Sequence, residues 1–171
     1  MIVELLKIVL PALMVFLAGY LATERLLREE TNRRRAELNA SSKKITTPIR
    51  LQAYERIVLF LERISPESIL VRVNQPEMSS QKFQSLLLST IRSEWEHNLS
   101  QQLYLSAQAW GLVRNAKDNV IKLINSSTDK VDPKAPSLVL SKQILDGLVD
   151  LEFHPTARAI DHLKKEVNEY L

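Results

Sequence analysis

A chain of 171 residues, 45% hydrophobic and 25% charged, has ordinary globular composition, and about 130 residues remain for one domain once an N-terminal anchor and stalk are set aside. The absence of cysteine excludes disulfides, thiolate metal sites, thiol nucleophiles and a lipidated cysteine, and leaves the compartment open. The net charge of +3 is local: residues 24–44 hold seven Lys/Arg against four acids and the rest of the chain is balanced, which favours a membrane surface over nucleic acid as partner.

The first element is an apolar helix. Ile8–Thr23 is an uncharged run of 16 residues, about 24 Å of helix. Extended back to Ile2, with Glu4 and Lys7 three apart on one face and Lys7 reaching toward headgroups, it spans about 31 Å, enough for a hydrocarbon core of roughly 30 Å. Pro11 falls in the first turns, where a kink is mild, and Tyr20 stands where an interfacial aromatic belongs. A cleaved signal peptide needs a basic n-region and small residues before the cut; here the one lysine accompanies a glutamate, and cleavage after Ala22 puts Tyr20 at −3. A buried helix of a soluble fold is a third reading. The expectation is an uncleaved transmembrane anchor over residues 1–23. Its short N-terminal side offers Lys7 and the α-amino group, whereas the other side offers seven basic residues. The positive-inside rule thus expects a single-pass protein of the inner (cell) membrane, with its C-terminal domain cytoplasmic.

Residues 24–44 read as a basic juxtamembrane stalk with few large apolar residues, Leu26, Leu27 and Leu38. Arg25, Arg28, Arg33, Arg34, Arg35, Lys43 and Lys44 are candidates for contact with anionic membrane lipids, at about 1 kcal/mol per basic residue, or serve only to fix topology; the two roles are compatible. Asn39–Ser42 reads as a break. Thr47-Pro48 then starts a helix with threonine as N-cap and proline at N1. On it Ile49, Ala53, Ile57, Phe60 and Ile64 form one apolar stripe, and Leu51, Tyr54, Val58 and Leu61 an adjacent one, so this helix is expected at the centre of the core.

Ser65-Pro66-Glu67 caps a short helix to about Val73, although Val71 and Val73 also alternate as a short strand does. A long helix over about 79–97 turns Phe83, Leu86, Leu87, Thr90, Ile91 and Trp95 inward. His97–Leu105 fits neither period and reads as a loop. Ser106 caps a helix to about Asn125 bearing Trp110, Val113, Lys117, Val120 and Ile124 at near-heptad spacing. Asn125–Pro136 is a polar loop, Ser137–Val149 a helix with Leu138, Leu145, Leu148 and Val149 among its apolar positions, and His154-Pro155 opens a last helix with Ala159, Ile160, Leu163 and Val167. The predicted fold class is all-α: an N-terminal transmembrane helix and stalk followed by a small helical bundle of five to six helices over 45–171.

The chemistry-bearing motifs are weak. Three glycines, none at a strand–helix turn, exclude phosphate-cradling loops. Glu94-Trp95-Glu96-His97 contains one Glu-x-x-His pair, half of a di-metal bundle site, and neither His154 nor His162 has a glutamate three residues earlier. Adjacent helix positions point about 100° apart, so Asp161-His162 makes no acid–base dyad. No Gly-x-Ser-x-Gly elbow accompanies the serines. Asn98-Leu99-Ser100 matches a glycosylation tripeptide, which carries no meaning in a cytoplasmic domain. No metal or other cofactor is expected. Trp95, Trp110, Tyr54 and Tyr104 read as core or groove aromatics rather than a nucleic-acid stacking platform.

Two stretches are distinctive. Ile49–Pro66 reads Ile-Arg-Leu-Gln-Ala-Tyr-Glu-Arg-Ile-Val-Leu-Phe-Leu-Glu-Arg-Ile-Ser-Pro, and Glu94–Ser106 reads Glu-Trp-Glu-His-Asn-Leu-Ser-Gln-Gln-Leu-Tyr-Leu-Ser, followed by Ala109-Trp110 and Asn115-Ala116-Lys117. With them the chain resembles, over most of its length, a family of uncharacterised single-span membrane proteins of Bacteroidetes. The resemblance implies a bacterial inner-membrane setting and carries over no functional residue.

The functional expectation is a non-enzymatic, membrane-tethered helical interaction or scaffold module, meeting an unidentified protein partner or a second copy. Tyr54, Glu55 and Arg56, with Glu94, His97, Asn98, Gln101 and Gln102, are the candidate interaction residues, because polar groups gather where the local period fails. The alternative is a metal-dependent or hydrolytic enzyme using Glu94, Glu96 and His97.

Overall fold

The computed structural model describes residues 2–75, 77–151 and 154–170, without the side chains of residues 2–12, 15, 18, 36, 38–43 and 170. Expectations resting on the side chains of Glu4, Lys7, Leu38 and Lys43 therefore fall outside the described set. The described residues are helical, with no strand: α1 Ile2–Ile64, α2 Pro66–Val73, α3 Ser80–Asn98, a 3-10 turn Leu99–Leu103, α4 Ala107–Thr128, α5 Ser137–Val149 and α6 Ala157–Tyr170. The chain divides into two compact units, Met1–Thr46 and Thr47–Leu171.

Two expected interruptions are absent. The helix runs through Asn39–Ser42, and Thr47 does not cap it, because α1 continues through Pro48 to Ile64. Asparagine and serine each cost only some tenths of a kcal/mol in a helix, and proline removes one rung, that to the carbonyl four residues back. Once a long helix exists on both sides, propagation outweighs such local penalties.

In the first unit the described large apolar side chains are all exposed: Leu13, Met14, Phe16, Leu17, Tyr20 and Leu21 within the uncharged run, and Leu26, Leu27 and Ile45 beyond it. Thr23 Oγ1 donates to the Gly19 carbonyl at 2.8 Å, returning its hydroxyl to the helix backbone. Beyond it, Glu24–Arg28, Glu30–Arg34 and Arg33–Glu37 form ion pairs at i,i+4 on exposed faces. Among the described residues no helix is long and apolar enough to cross a membrane; residues 2–12, the first half of the expected span, are without described side chains.

The second unit is held by one core. The C-terminal part of α1 buries Ala53, Tyr54, Ile57, Phe60, Leu61 and Ile64, nearly the two predicted stripes; Ile49 is exposed. They meet Ile69 of α2, Phe83, Leu87 and Ile91 of α3, Val113, Val120 and Ile124 of α4, Leu140 and Ile144 of α5, and Leu163 of α6. Serines start three helices. Ser65 accepts from Ser68 N–H, with Pro66 in the first turn; Ser79 accepts from Lys82 N–H, and Ser106 from Ala109 N–H at 3.0 Å. Val71 and Val73 lie in α2, not in a strand. Between α2 and α3, Glu77 takes φ 64°, a left-handed turn residue. The segment before α5 is tied back to α3: Ser80 N–H donates to Ala135 O at 2.8 Å, and Ser137 N–H to Met78 O at 2.8 Å.

Of the apolar residues of α5 named from sequence, Leu148 alone packs against the core. Leu138, Leu145 and Val149 are exposed, whereas Leu140 and Ile144 are buried with Ser137 and Ser141. The Ser141 hydroxyl enters the core by donating to the Ser137 carbonyl at 3.1 Å, so its polarity costs little there.

Candidate functional site

The residues singled out from sequence divide among three places in the second unit. The first surrounds Glu94, in the penultimate turn of α3. Its Oε1 accepts from Arg63 Nε at 2.8 Å and Nη2 at 2.7 Å, and from Arg72 Nη1 at 3.2 Å. Arg72 Nη2 also donates to the Arg63 carbonyl at 3.0 Å. One carboxylate thus gathers two guanidiniums, from the last turns of α1 and α2, and clamps the α1–α2 corner to α3. Asn98, buried, returns its amide to the Glu94 carbonyl at 2.8 Å. Next to this clamp Trp95 stacks on Trp110 at 4.7 Å between centroids and tilts against Phe60 at 5.8 Å. Lys117 Nζ lies 4.8 Å from the Trp95 ring and 2.9 Å from Asp118, a cation on an aromatic face. Glu94 and Asn98 are therefore positioning residues of the fold.

His97 is exposed, and Glu94, its i,i+3 neighbour, is already engaged by two arginines. Among the described residues no group of three or more His, Asp or Glu converges as a metal site does. Gln102 is exposed and Gln101 half-buried. The segment read as a loop is instead the end of α3 and the 3-10 turn, held to α1 by Arg50 Nε donating to the Tyr104 carbonyl at 3.3 Å. Arg50 and Tyr104 are 54 residues apart, and no local pattern announces the pair.

The second place is a hollow of about 540 Å³ lined by Leu51, Tyr54, Glu55, Val58, Leu163 and Val167, among others. Tyr54 is buried and Glu55 exposed at its rim; Arg56 is exposed but lies outside the lining.

The third is a cleft of about 860 Å³ between α4 and α6, with Asn115, Asp118, Asn119, His154, Arg158, Asp161, His162 and Lys165 in its walls. Both histidines have carboxylate partners, and neither is Asp161. His162 Nε2 is 3.8 Å from Glu166 Oε2, one helical turn on, an i,i+4 spacing visible in the sequence. His154 Nε2 lies 3.1 and 3.0 Å from the two Glu67 oxygens. Its Nδ1 faces Thr156 N–H at 3.3 Å and Thr156 Oγ1 at 3.1 Å. The contacts at Nδ1 hold the ring with Nε2 turned toward Glu67. Hydroxyl, imidazole and carboxylate stand in the order of a hydrolytic triad. Thr156 is only 1% exposed, so no substrate carbonyl reaches its oxygen, and nucleophilic attack requires such approach. The arrangement caps the start of α6 and ties it to α2.

The basic residues Arg25, Arg28, Arg33, Arg34, Arg35 and Lys44 belong to the first unit and are exposed. Arg28, Arg33 and Arg34 are in the i,i+4 pairs above. Arg25, Arg35 and Lys44 meet no carboxylate among the described residues, and Lys43 lies outside the described side chains.

Residues 1–170 match a family model described as a family of unknown function, DUF7935. No curated protein and no solved structure matches the chain.

Proposed function

The chain belongs to the DUF7935 family, a family of unknown function, and we propose that it is a membrane-tethered helical interaction module of a bacterial, Bacteroidetes-type inner membrane. In this reading the apolar helix up to residue 23 is a single-pass anchor, the basic residues after it stay on the cytoplasmic side against anionic headgroups, and the second unit meets a protein partner. One observation carries it. Leu13, Met14, Phe16, Leu17, Tyr20 and Leu21 are exposed, and the uncharged run around them has no polar seam on any side. A helix that is apolar all round is at home in a large core or in lipid. Six such side chains facing water cost on the order of 10 kcal/mol relative to burial. The paired arginines and glutamates that follow, and the Thr23 hydroxyl turned back on the helix, suit a helix leaving the hydrocarbon.

The test is fractionation of the full chain, carrying a C-terminal tag, from bacterial cells. Expected is a membrane pellet that resists alkaline carbonate and yields to detergent, with the tag protected from protease in spheroplasts and digested after lysis. Recovery in the detergent-free supernatant refutes the anchor; digestion in intact spheroplasts refutes the orientation.

A further inference from the structure

Helix α5 is apolar on two sides. Leu140 and Ile144 fill the core, yet four of its six exposed positions are also large aliphatics: Leu138 (71% exposed), Val139, Leu145 and Val149 (85%). The other two are Lys142 and Asp146. At 3.6 residues per turn Leu138, Leu145 and Val149 fall within about 40° of one another, with Lys142 beside them and Asp146 and Val139 one step further round. Val71 of α2, 84% exposed, extends the patch across a hollow of about 760 Å³ that it shares with Leu138 and Met78. A contiguous exposed aliphatic patch interrupted by one cation and one anion is the composition of an interface, not of a solvated face.

We infer that α5 pairs antiparallel with the α5 of a second copy of this chain. The two charges decide the occupant. In an antiparallel pair related by a twofold axis through position 144, residue i lies opposite residue 288 − i. Lys142 then faces Asp146 of the other copy, twice by symmetry, and Val139 faces Val149, with Leu138 packing one position off against the same Val149. The surface is complementary to itself in charge and at Val139–Val149, as an isologous interface requires, with Leu145 beside the axis opposite Gln143. A helix of 13 residues is about 20 Å long, so the contact sits at the weak end of specific interfaces and depends on local concentration. The pairing is a property of the second unit and holds whether or not the first enters lipid.

The absence of cysteine makes the test clean. In the full chain, Leu145→Cys, near the twofold axis, is oxidised in freshly opened cells and dimer is read on a non-reducing gel, with Asn168→Cys on α6 as the comparison. Expected is a disulfide dimer of twice the chain mass for L145C and little for N168C. Adding K142E or D146K to L145C lowers the dimer about tenfold by setting like charges opposite one another, and K142E with D146K together restores it. Melting curves of all variants, which alter exposed positions, establish that the fold is kept. Absence of the L145C dimer, crosslinking to a different protein in its place, or failure of the double charge swap to rescue overturns the pairing; none of these results bears on fractionation with the membrane.

Discussion

Gly111 and Gly147 both sit inside helices, yet the same substitution is expected to act oppositely at the two. Glycine costs about 1 kcal/mol relative to alanine in a helix interior, through the backbone freedom it loses on folding. At Gly111, the fifth residue of α4, an added Cβ meets nothing within 4 Å. Gly111→Ala therefore keeps the whole propensity gain, about 0.5–1 kcal/mol, or roughly 2–5 °C in Tm for a unit of this size. At Gly147 the Cβ lands 3.1 Å from Leu123 Cδ1 and 3.5 Å from Ser127 Oγ. Leu123 is buried, and the Ser127 hydroxyl donates to the Gln143 carbonyl across the same α4–α5 contact. Making room shifts a packed leucine by a few tenths of an ångström, at a cost of about 1 kcal/mol or more, while the propensity gain shrinks two residues from the helix end. Gly147→Ala is thus expected to be neutral to destabilising, some 1–2 kcal/mol below Gly111→Ala. Far-UV circular dichroism melts of the detergent-solubilised full chain at matched concentration read the difference. Equal rises for both variants refute the α4–α5 packing described here, and a fall in Tm for Gly111→Ala refutes the open space beside that residue.

Glu94→Gln removes the charge that two arginines share. Those arginines are 45% and 36% exposed, so solvent screens the pairs and the expected loss is about 1 kcal/mol; melts at low and high salt check it, the difference from the parent chain narrowing as salt rises. Ser106→Ala removes the acceptor for Ala109 N–H at the start of α4 and is expected to cost about 1 kcal/mol in chemical denaturation, whereas an unchanged midpoint rules out the cap.

The second unit was legible in sequence wherever a local signal decides the outcome. Serine followed by a helical apolar period marks the starts at Ser65, Ser79 and Ser106, and α5 has the predicted bounds, Ser137–Val149. Two kinds of feature were not legible. The interruptions expected at Asn39–Ser42 and Thr47-Pro48 do not form, because weak local breakers yield to the helix on either side. Pairings across the fold left no trace: Arg63 and Arg72 reach Glu94 from 31 and 22 residues away, and Glu67 meets His154 from 87. Of the polar residues near Glu94, Glu94 itself holds the α1–α2 corner to α3 through arginines remote in the chain and Asn98 bonds its own helix, whereas His97 and Gln102 stay exposed.

The apolar surface that remains is of two kinds, and their geometry separates their partners. The uncharged run Ile8–Thr23 carries no polar stripe on any side of the helix, and no charge fixes a rotation or a register. In the proposed reading such a surface matches a solvent rather than a complementary face, and lipid is that solvent. On α5 the exposed aliphatics keep to one side, and Lys142 and Asp146 lie four residues apart among them. A charged pair within an apolar stripe costs something to desolvate and gains only when the opposite charges arrive in register. Lipid tails offer no such charges, so this stripe selects a protein, and its own sequence read backwards supplies the required order. The proposed insertion and the proposed pairing thus fall to different helices by the placement of a few charges: charge is excluded from the run Ile8–Thr23 and retained at Lys142 and Asp146.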